Sequence, residues 1–352
     1  MPEIIARTKT KDYSIRIQSR LLEQTGPIVA KLITGRRVIV ISDETIAEIY
    51  LGKVLRSLRE AGFQTFSFAM EEGEAHKSLA TLERIYHSMA IANITPKDVI
   101  VSLGGGSVTD IAAFAASTYL NGIKLVHIPT TLMAQVDAAI GGESFVNMPI
   151  GKNLIGNVYH PHAVLIDPMV LSTLPRERLT DGMAEVIKYG ATLDEQLFMQ
   201  VETKNTDLEW IVDRCVRLKV GALGRDSVGR IDDILLEFGH TLGAAIEQLT
   251  DYSVYYHGEA ISIGMVLAAR IGEALGVTPP EVVARLRAVL KSWQLPVDGP
   301  PFSAGAIMAA VRSNPRLGRE KATIVLLKGI GEAVLHPLEQ KELEQVFSTI
   351  WN

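Results

Sequence analysis

The fold class that this chain predicts is a Rossmann-like α/β unit with a parallel sheet, followed by a mainly helical unit. Three observations predict it. Short apolar runs alternate with amphipathic segments through the first half, and that alternation ends near Thr173-Leu174-Pro175. Beyond it, His240 in Phe238-Gly239-His240-Thr241 and His257 in His257-Gly258-Glu259-Ala260 each open a glycine-containing helical segment. With 352 residues, 47% of them hydrophobic, the chain is too long for one compact core, so a division at 175 into residues 1–175 and 176–352 is expected.

Each element follows from local pattern. Arg37-Val38-Ile39-Val40-Ile41 is a short apolar strand, and Ser42-Asp43-Glu44 supplies capping groups for a helix running to about Ala61. Thr65 to Met70, Val99 to Leu103 and Lys124 to Ile128 repeat the strand pattern. An amphipathic helix from Ser78 to Ala92 and an Ala-rich one after Gly106 lie between them, which is the order of a parallel sheet with crossover helices. The second half predicts helices over 176–191, 206–224, 233–249, 257–275 and 279–293, with a short strand at Thr323 to Leu327 before the last helix. The cleft between the two halves is the expected active site.

Composition narrows the function classes. A net charge of −5 without a basic block argues against a nucleic-acid surface and for a small-molecule partner. The single cysteine, Cys215, cannot form an internal disulfide, and no basic segment leads into an apolar run at the start, so the cytoplasm is the expected location. No uninterrupted apolar stretch approaches the roughly 20 residues that span a bilayer.

Two histidines seventeen residues apart cannot share a helical turn, so as metal ligands they must converge from two helices, with a carboxylate as third ligand. Glu185 in Gly182-Met183-Ala184-Glu185-Val186-Ile187-Lys188 is the candidate. Gly104-Gly105-Gly106-Ser107-Val108-Thr109-Asp110 follows a strand and opens a helix, so its amides and the helix's positive end suit a pyrophosphate, although it is not a GxGxxG fingerprint. Glu71-Glu72-Gly73-Glu74-Ala75-His76-Lys77 ends another strand at the same sheet edge, where its acidic groups can meet ribose hydroxyls. Pro129-Thr130-Thr131, Asp137 and the loop Gly151-Lys152-Asn153-Leu154-Ile155-Gly156 add further polar groups.

In order and spacing these motifs resemble the 3-dehydroquinate synthase superfamily of sugar phosphate cyclases along nearly the whole chain, through GEAHK, GGGSVTD, PTTLMAQVD, VN with GKNLIG, TLP, GMAEVIKYG, FGHTLG and HGEAISIGM. The resemblance implies Glu185, His240 and His257 as ligands of a zinc ion, although such a donor set also accepts iron, cobalt or manganese. It implies an NAD shell of Asp43, Glu74, Lys77, Gly105, Gly106, Ser107, Asp110, Thr130, Thr131, Lys152 and Thr173. Asp137, Asn153, Lys188 and Lys219 match substrate-side positions, Lys188 and Asp137 with catalytic roles. A homodimer is also implied. In that family NAD transiently oxidises a ring hydroxyl, phosphate is eliminated, the hydride returns, the ring opens and an intramolecular aldol step closes a carbocycle.

The substrate positions depart from the family pattern. Gly142-Glu143-Ser144 stands for Gly-Lys-Thr, Asn121 for Arg, Asp233 for Arg, Glu237 for Asn, Ala244 for His and Pro315 for Lys. Five of these six positions are basic in the relatives, so this pocket is about seven charge units more negative if every group ionises. A dianion beside a carboxylate at roughly 4 Å costs on the order of 4 kcal/mol per charge pair at an effective dielectric near 20. On an ideal helix Asp233, Glu237, His240 and Ala244 fall on one stripe. The expected enzyme is therefore a diverged cyclase of specialised metabolism that uses NAD and zinc on a polyhydroxylated substrate without the usual phosphate, with Glu237 or Glu143 as base. Alternatives are an ordinary 3-dehydroquinate synthase that meets phosphate through Lys188, Lys219 or Arg316, a metal-dependent polyol dehydrogenase or epimerase, and a lapsed binding subunit.

Overall fold

The computed structural model describes residues 3–204, 207–224, 234–313 and 321–351. These residues form two compact units, one of Met1–Pro175 with Leu208–Gly224, the other of Arg176–Asp207 with the described part of Arg225–Asn352. The expected single cut at 175 therefore becomes an interleaved division, because helix 208–224 packs with the sheet unit.

The first unit is built on a seven-stranded sheet in the order β1-β2-β9-β6-β5-β3-β4. Its strands are β1 (Ile4–Ala6), β2 (Tyr13–Ile17), β3 (Arg37–Asp43), β4 (Gln64–Met70), β5 (Val99–Gly104), β6 (Lys124–Pro129) and β9 (Ala163–Ile166). All neighbouring pairs are parallel except β1 with β2. The central strands β3, β5 and β6 carry nearly continuous buried runs, as strands covered on both faces must. On one face pack α1 (Thr25–Leu32) and α3 (Gly52–Glu60), and on the other α4 (Leu79–Ile91) and α5 (Gly106–Thr118). Between β3 and α3 the chain runs through the short α2 (Glu44–Ile46) and a wide turn, Ala47–Leu51. A separate antiparallel hairpin, β7 (Glu143–Met148) and β8 (Gly151–Val158), stands outside the sheet.

Because β3 feeds β4 on one side while its other neighbour is β5, the strand order reverses at β3 and β5, and ligands collect at the carboxyl ends of strands beside such a reversal. Asp43, Gly104 and Pro129 end β3, β5 and β6 there.

The second unit is helical: α6 (Arg176–Leu193), α7 (Glu195–Glu202), α9 (His240–Leu249), α10 (His257–Ala274), α11 (Pro280–Ser292), α12 (Ala304–Ser313) and α13 (Gln340–Ile350), with α8 (Leu208–Gly224) belonging to the first unit. The strand expected at Thr323 to Leu327 is the middle of β10 (Lys321–Gly329), which pairs antiparallel with β11 (Glu332–Glu339). α10 is buried along most of its length, with Ala, Ile, Gly and Met inward.

One expectation fails. The helix predicted over 233–249 is interrupted: Ile234 and Leu235 are helical, 236–239 form a turn and a new helix begins at His240, because Gly239 takes φ +83° and a Cβ there would meet Met265 Cγ at 2.6 Å and Ile261 O at 2.8 Å. The close approach to α10 requires glycine, and its left-handed backbone breaks the helix. Glu237 consequently lies in a turn, exposed, and does not continue the His240 stripe.

Candidate functional site

In the helical unit Glu185, His240 and His257 each offer a ligand atom, and these atoms lie within 4.8 Å of one another. Glu185 is fully buried in the middle of α6, while the histidines are the first residues of α9 and α10. His240 Nε2 is 3.5 Å from Glu185 Oε1, and His257 Nε2 is 3.8 Å from the same oxygen. Behind each ring the other nitrogen has an acceptor: Phe238 O lies 3.4 Å from His240 Nδ1, and Glu247 Oε2 lies 3.3 Å from His257 Nδ1. With both Nδ1 atoms donating, both Nε2 lone pairs face the Glu185 carboxylate. Two nitrogens and one oxygen in this arrangement fit a divalent transition metal.

The centre is dense in negative charge. Lys188 pairs with Glu185 one turn along α6, and both side chains are buried. Asp181 Oδ1 accepts from Gly258 N at 2.5 Å in the first turn of α10, and burial pushes its pKa up to about 6 against the pull of His257. Burial alone would lower the His257 pKa, but the charge and hydrogen bond of Glu247, with Glu185 and Asp181 behind, outweigh it and raise it to about 9. A cation entering here therefore takes the place of a proton.

In the sheet unit the glycine turn follows β5 and opens α5. Gly105 caps α5, and Gly106 is its first residue. Lys77, buried, donates to Asp110 Oδ2 at 2.8 Å and Asn153 Oδ1 at 2.7 Å and pairs with Glu74 Oε1 at 2.8 Å. Ser107 donates to Glu74 Oε2 at 2.6 Å, and Asn147 Nδ2 to Glu74 Oε1 at 2.8 Å. Burial would lower the Lys77 pKa, but Asp110 and Glu74 raise it. Among the described residues Asp110 Oδ1 and Thr130 Oγ1 are buried without a hydrogen-bond partner. Buried polar atoms seldom go unpaired. Together with the positive end of α5, they fit a ligand that brings donors and a pyrophosphate.

Other members of the expected cofactor shell are already engaged. Asp43 Oδ1 accepts from Ile46 N at 2.8 Å, capping α2, and Thr173 Oγ1 lies 2.7 Å from Tyr50 Oη. Thr131 Oγ1 accepts from Ala134 N at 3.2 Å. Lys152 is partly buried on β8, beside Asn153.

The same unit gathers the substrate candidates Asp137, Glu143, Asn153 and Lys219. Lys219 on α8 pairs with Asp137 at 2.6 Å. Gly141 and Gly142, at φ +114° and +83°, turn the chain into β7, and a Cβ at Gly142 would meet His160 Nδ1 at 2.6 Å. Glu143 follows that turn. Burial, then the charges of Asp110 and Asp137, raise its pKa to about 8, against the pull of Lys219 and Lys77.

Not every expected residue joins these groups. Asn121 lies exposed beyond the carboxyl end of α5. Ala244 sits one turn after His240 on α9, partly buried. Asp233, Pro315 and Arg316 lie outside the described residues. Sequence reasoning missed Glu247, Asp181 and Asn147; of these only Asn147 carried a signal, since it lies in the matched VN pair.

A glycine-cradle sheet unit joined in one chain to a helical unit with a two-histidine, one-carboxylate cluster defines a class of enzyme, the sugar phosphate cyclases and their structural kin. Residues 67–181 match the family model for the 3-dehydroquinate synthase N-terminal domain, and 182–315 that for the C-terminal domain. The chain belongs to the 3-dehydroquinate synthase family. It is 41% identical over 329 residues to the 3-dehydroquinate synthase of Geobacter metallireducens (91% of each chain) and 36% identical over 336 residues to that of Clostridium acetobutylicum (94% of each). Among solved structures, 2-epi-5-epi-valiolone synthase from Streptomyces hygroscopicus subsp. jinggangensis, with NAD+ and Zn2+ bound, has TM-score 0.83 at 26% identity over 98% of each chain. A 2-deoxy-scyllo-inosose synthase complexed with carbaglucose-6-phosphate, NAD+ and Co2+ has TM-score 0.84 at 23% identity over 99% of each, and shows the fold. No described helix is long and apolar enough to cross a membrane.

Proposed function

We propose that this chain is an NAD- and zinc-dependent cyclase that acts on a polyhydroxylated, sugar-type substrate by transient oxidation, elimination, reduction and aldol closure. We further propose that its substrate does not present a phosphate dianion to Glu143. The observation that carries the second statement is the setting of Glu143, where burial first and then the charges of Asp110 and Asp137 push its pKa up to about 8 against the pull of Lys219 and Lys77. A phosphate dianion brought there meets a neutral carboxyl with two carboxylates behind it, where the family pattern has a lysine.

In this reading Glu185, His240 and His257 hold the cation, and Gly105, Gly106, Ser107, Asp110 and Thr130 hold the dinucleotide, with Glu74 and Lys77 fixing their positions. When bound, the nicotinamide supplies reversible hydride transfer and the cation supplies Lewis acidity. Lys219 holds Asp137 in place by their ion pair, and its ammonium offsets negative charge nearby. Lys188 performs the same service beside Glu185. Glu143, with its proton affinity brought near neutrality, is suited to exchange a proton with a carbon or hydroxyl of the substrate. Glu237, exposed in its turn, is the weaker candidate for that base. The proposed assembly is a homodimer acting in the cytoplasm.

The second reading is an ordinary 3-dehydroquinate synthase, favoured by the names of the relatives most like this chain in sequence. Incubation with 3-deoxy-arabino-heptulosonate 7-phosphate separates the two. Phosphate release at rates typical of the family, with complementation of a shikimate-pathway auxotroph, would refute the diverged substrate and establish the ordinary one. Failure on that compound, with turnover of a sugar lacking the phosphate, is the expected result.

A further inference from the structure

We propose that Glu247 is a positioning residue that fixes the tautomer and ring orientation of His257 for metal binding. The proposal rests on the metal-centre reading of Glu185, His240 and His257. It begins with three glycines. Gly239, Gly243 and Gly264 bring α9 and α10 into backbone contact: a Cβ on Gly264 would meet Gly239 O at 2.0 Å, and one on Gly243 would meet Ile261 Cα at 3.0 Å. That approach carries Glu247, near the carboxyl end of α9, to the first residue of α10.

Glu247 is 5% exposed, and a carboxylate is buried to that extent only where it has partners. Its Oε2 lies 3.3 Å from His257 Nδ1. The partner nitrogen, Nε2, faces Glu185. An imidazole that donates from Nδ1 presents its lone pair at Nε2, so Glu247 selects the tautomer that a cation held by Glu185 needs.

The two histidines are supported unequally. His240 has a neutral backbone carbonyl, Phe238 O, at Nδ1, whereas His257 has a charged carboxylate. A carboxylate behind the ring makes its far nitrogen a stronger donor. His257 is also the more exposed of the two, with a side-chain exposure of 39% against 20%, and hence the ring more in need of an anchor. Asp181 hydrogen-bonds the backbone of Gly258 at the same helix end and reaches the ring by its charge alone.

The test uses the full-length protein, stripped of metal and titrated with Zn2+ against a competing chelator, and with Co2+ followed by its visible absorption. Glu247→Gln keeps the size and an acceptor oxygen but removes the charge. It should weaken Zn2+ binding on the order of 10–100-fold and shift the Co2+ bands, while the metal-free protein melts as the parent does. Glu247→Asp, which keeps the charge, should recover part of the affinity and serves if the Gln variant fails to fold. Unchanged Zn2+ affinity and unchanged Co2+ bands in Glu247→Gln, with the parent binding normally, would overturn the positioning role. A parent protein that takes up neither ion, or binds equally well as Glu185→Gln, would instead overturn the metal-centre reading.

Discussion

Asp137 Oδ1 and Lys219 Nζ lie 2.6 Å apart, joining the turn that precedes β7 to helix α8. Side-chain exposures of 10% for Lys219 and 16% for Asp137 leave the pair short of full burial. Lys219→Met removes the ion-pair partner of Asp137 and a cation that restrains Glu143, so a loss of about 1–3 kcal/mol is expected by urea denaturation. Adding Asp137→Asn should return part of it, and a double-mutant cycle with no coupling would show that the pair is decorative.

Glu143→Lys restores the basic residue that the family pattern places at this position. It should raise affinity for 3-deoxy-arabino-heptulosonate 7-phosphate at least about tenfold, since a cation in place of a neutral carboxyl at close range is worth more than the roughly 1.4 kcal/mol that a tenfold change needs. Isothermal titration of parent and variant measures it. Equal affinity in both would mean that residue 143 does not face the phosphate.

The same carboxyl predicts how stability depends on pH. Folding raises the Glu143 pKa from 4.5 to about 8, so between those values the folded chain holds a proton that the unfolded chain releases. This group's contribution is therefore most favourable at low pH and is lost as pH rises toward 8, with a slope of at most about 1.4 kcal/mol per pH unit. Glu143→Gln should flatten the decline in urea-unfolding free energy between pH 5 and about 8. Parallel profiles for parent and variant would contradict the assignment.

Much of this was readable in the residues because the signals were local. Strands β3 to β6 followed from apolar runs, and the glycine cradle from a turn between strand and helix. The metal triad rested on a resemblance, and the fold brings its atoms within 4.8 Å. What escaped was non-local. The β7–β8 hairpin, the edge strand β1 and its neighbour β2 are short and pair with partners whose identity no period in the sequence encodes. The Asp233-to-Ala244 stripe assumed one continuous helix, and Gly239 overruled it through contacts with α10. Glu247 went unseen because its partner, His257, lies across a helix pair and not along one.

Gly239 offers the last prediction. Its φ of +83° is strained for any residue with a side chain, and an added Cβ would meet the Met265 side chain at 2.6 Å and the α10 backbone, Ile261 O and Met265 N, at 2.8 Å. Met265 can move, but the carbonyl can do so only by displacing α10. Gly239→Ala should therefore cost about 2–4 kcal/mol, combining the left-handed backbone penalty with overpacking of the helix pair. His240 is the next residue, and displacement of α10 also moves His257, so Zn2+ affinity should fall along with the melting temperature. Gly276→Ala provides the control: it shares a positive φ, +70°, but a Cβ there meets nothing within 4 Å, so it should lose stability alone. If both variants keep full metal affinity, the helix contact does not position the histidines.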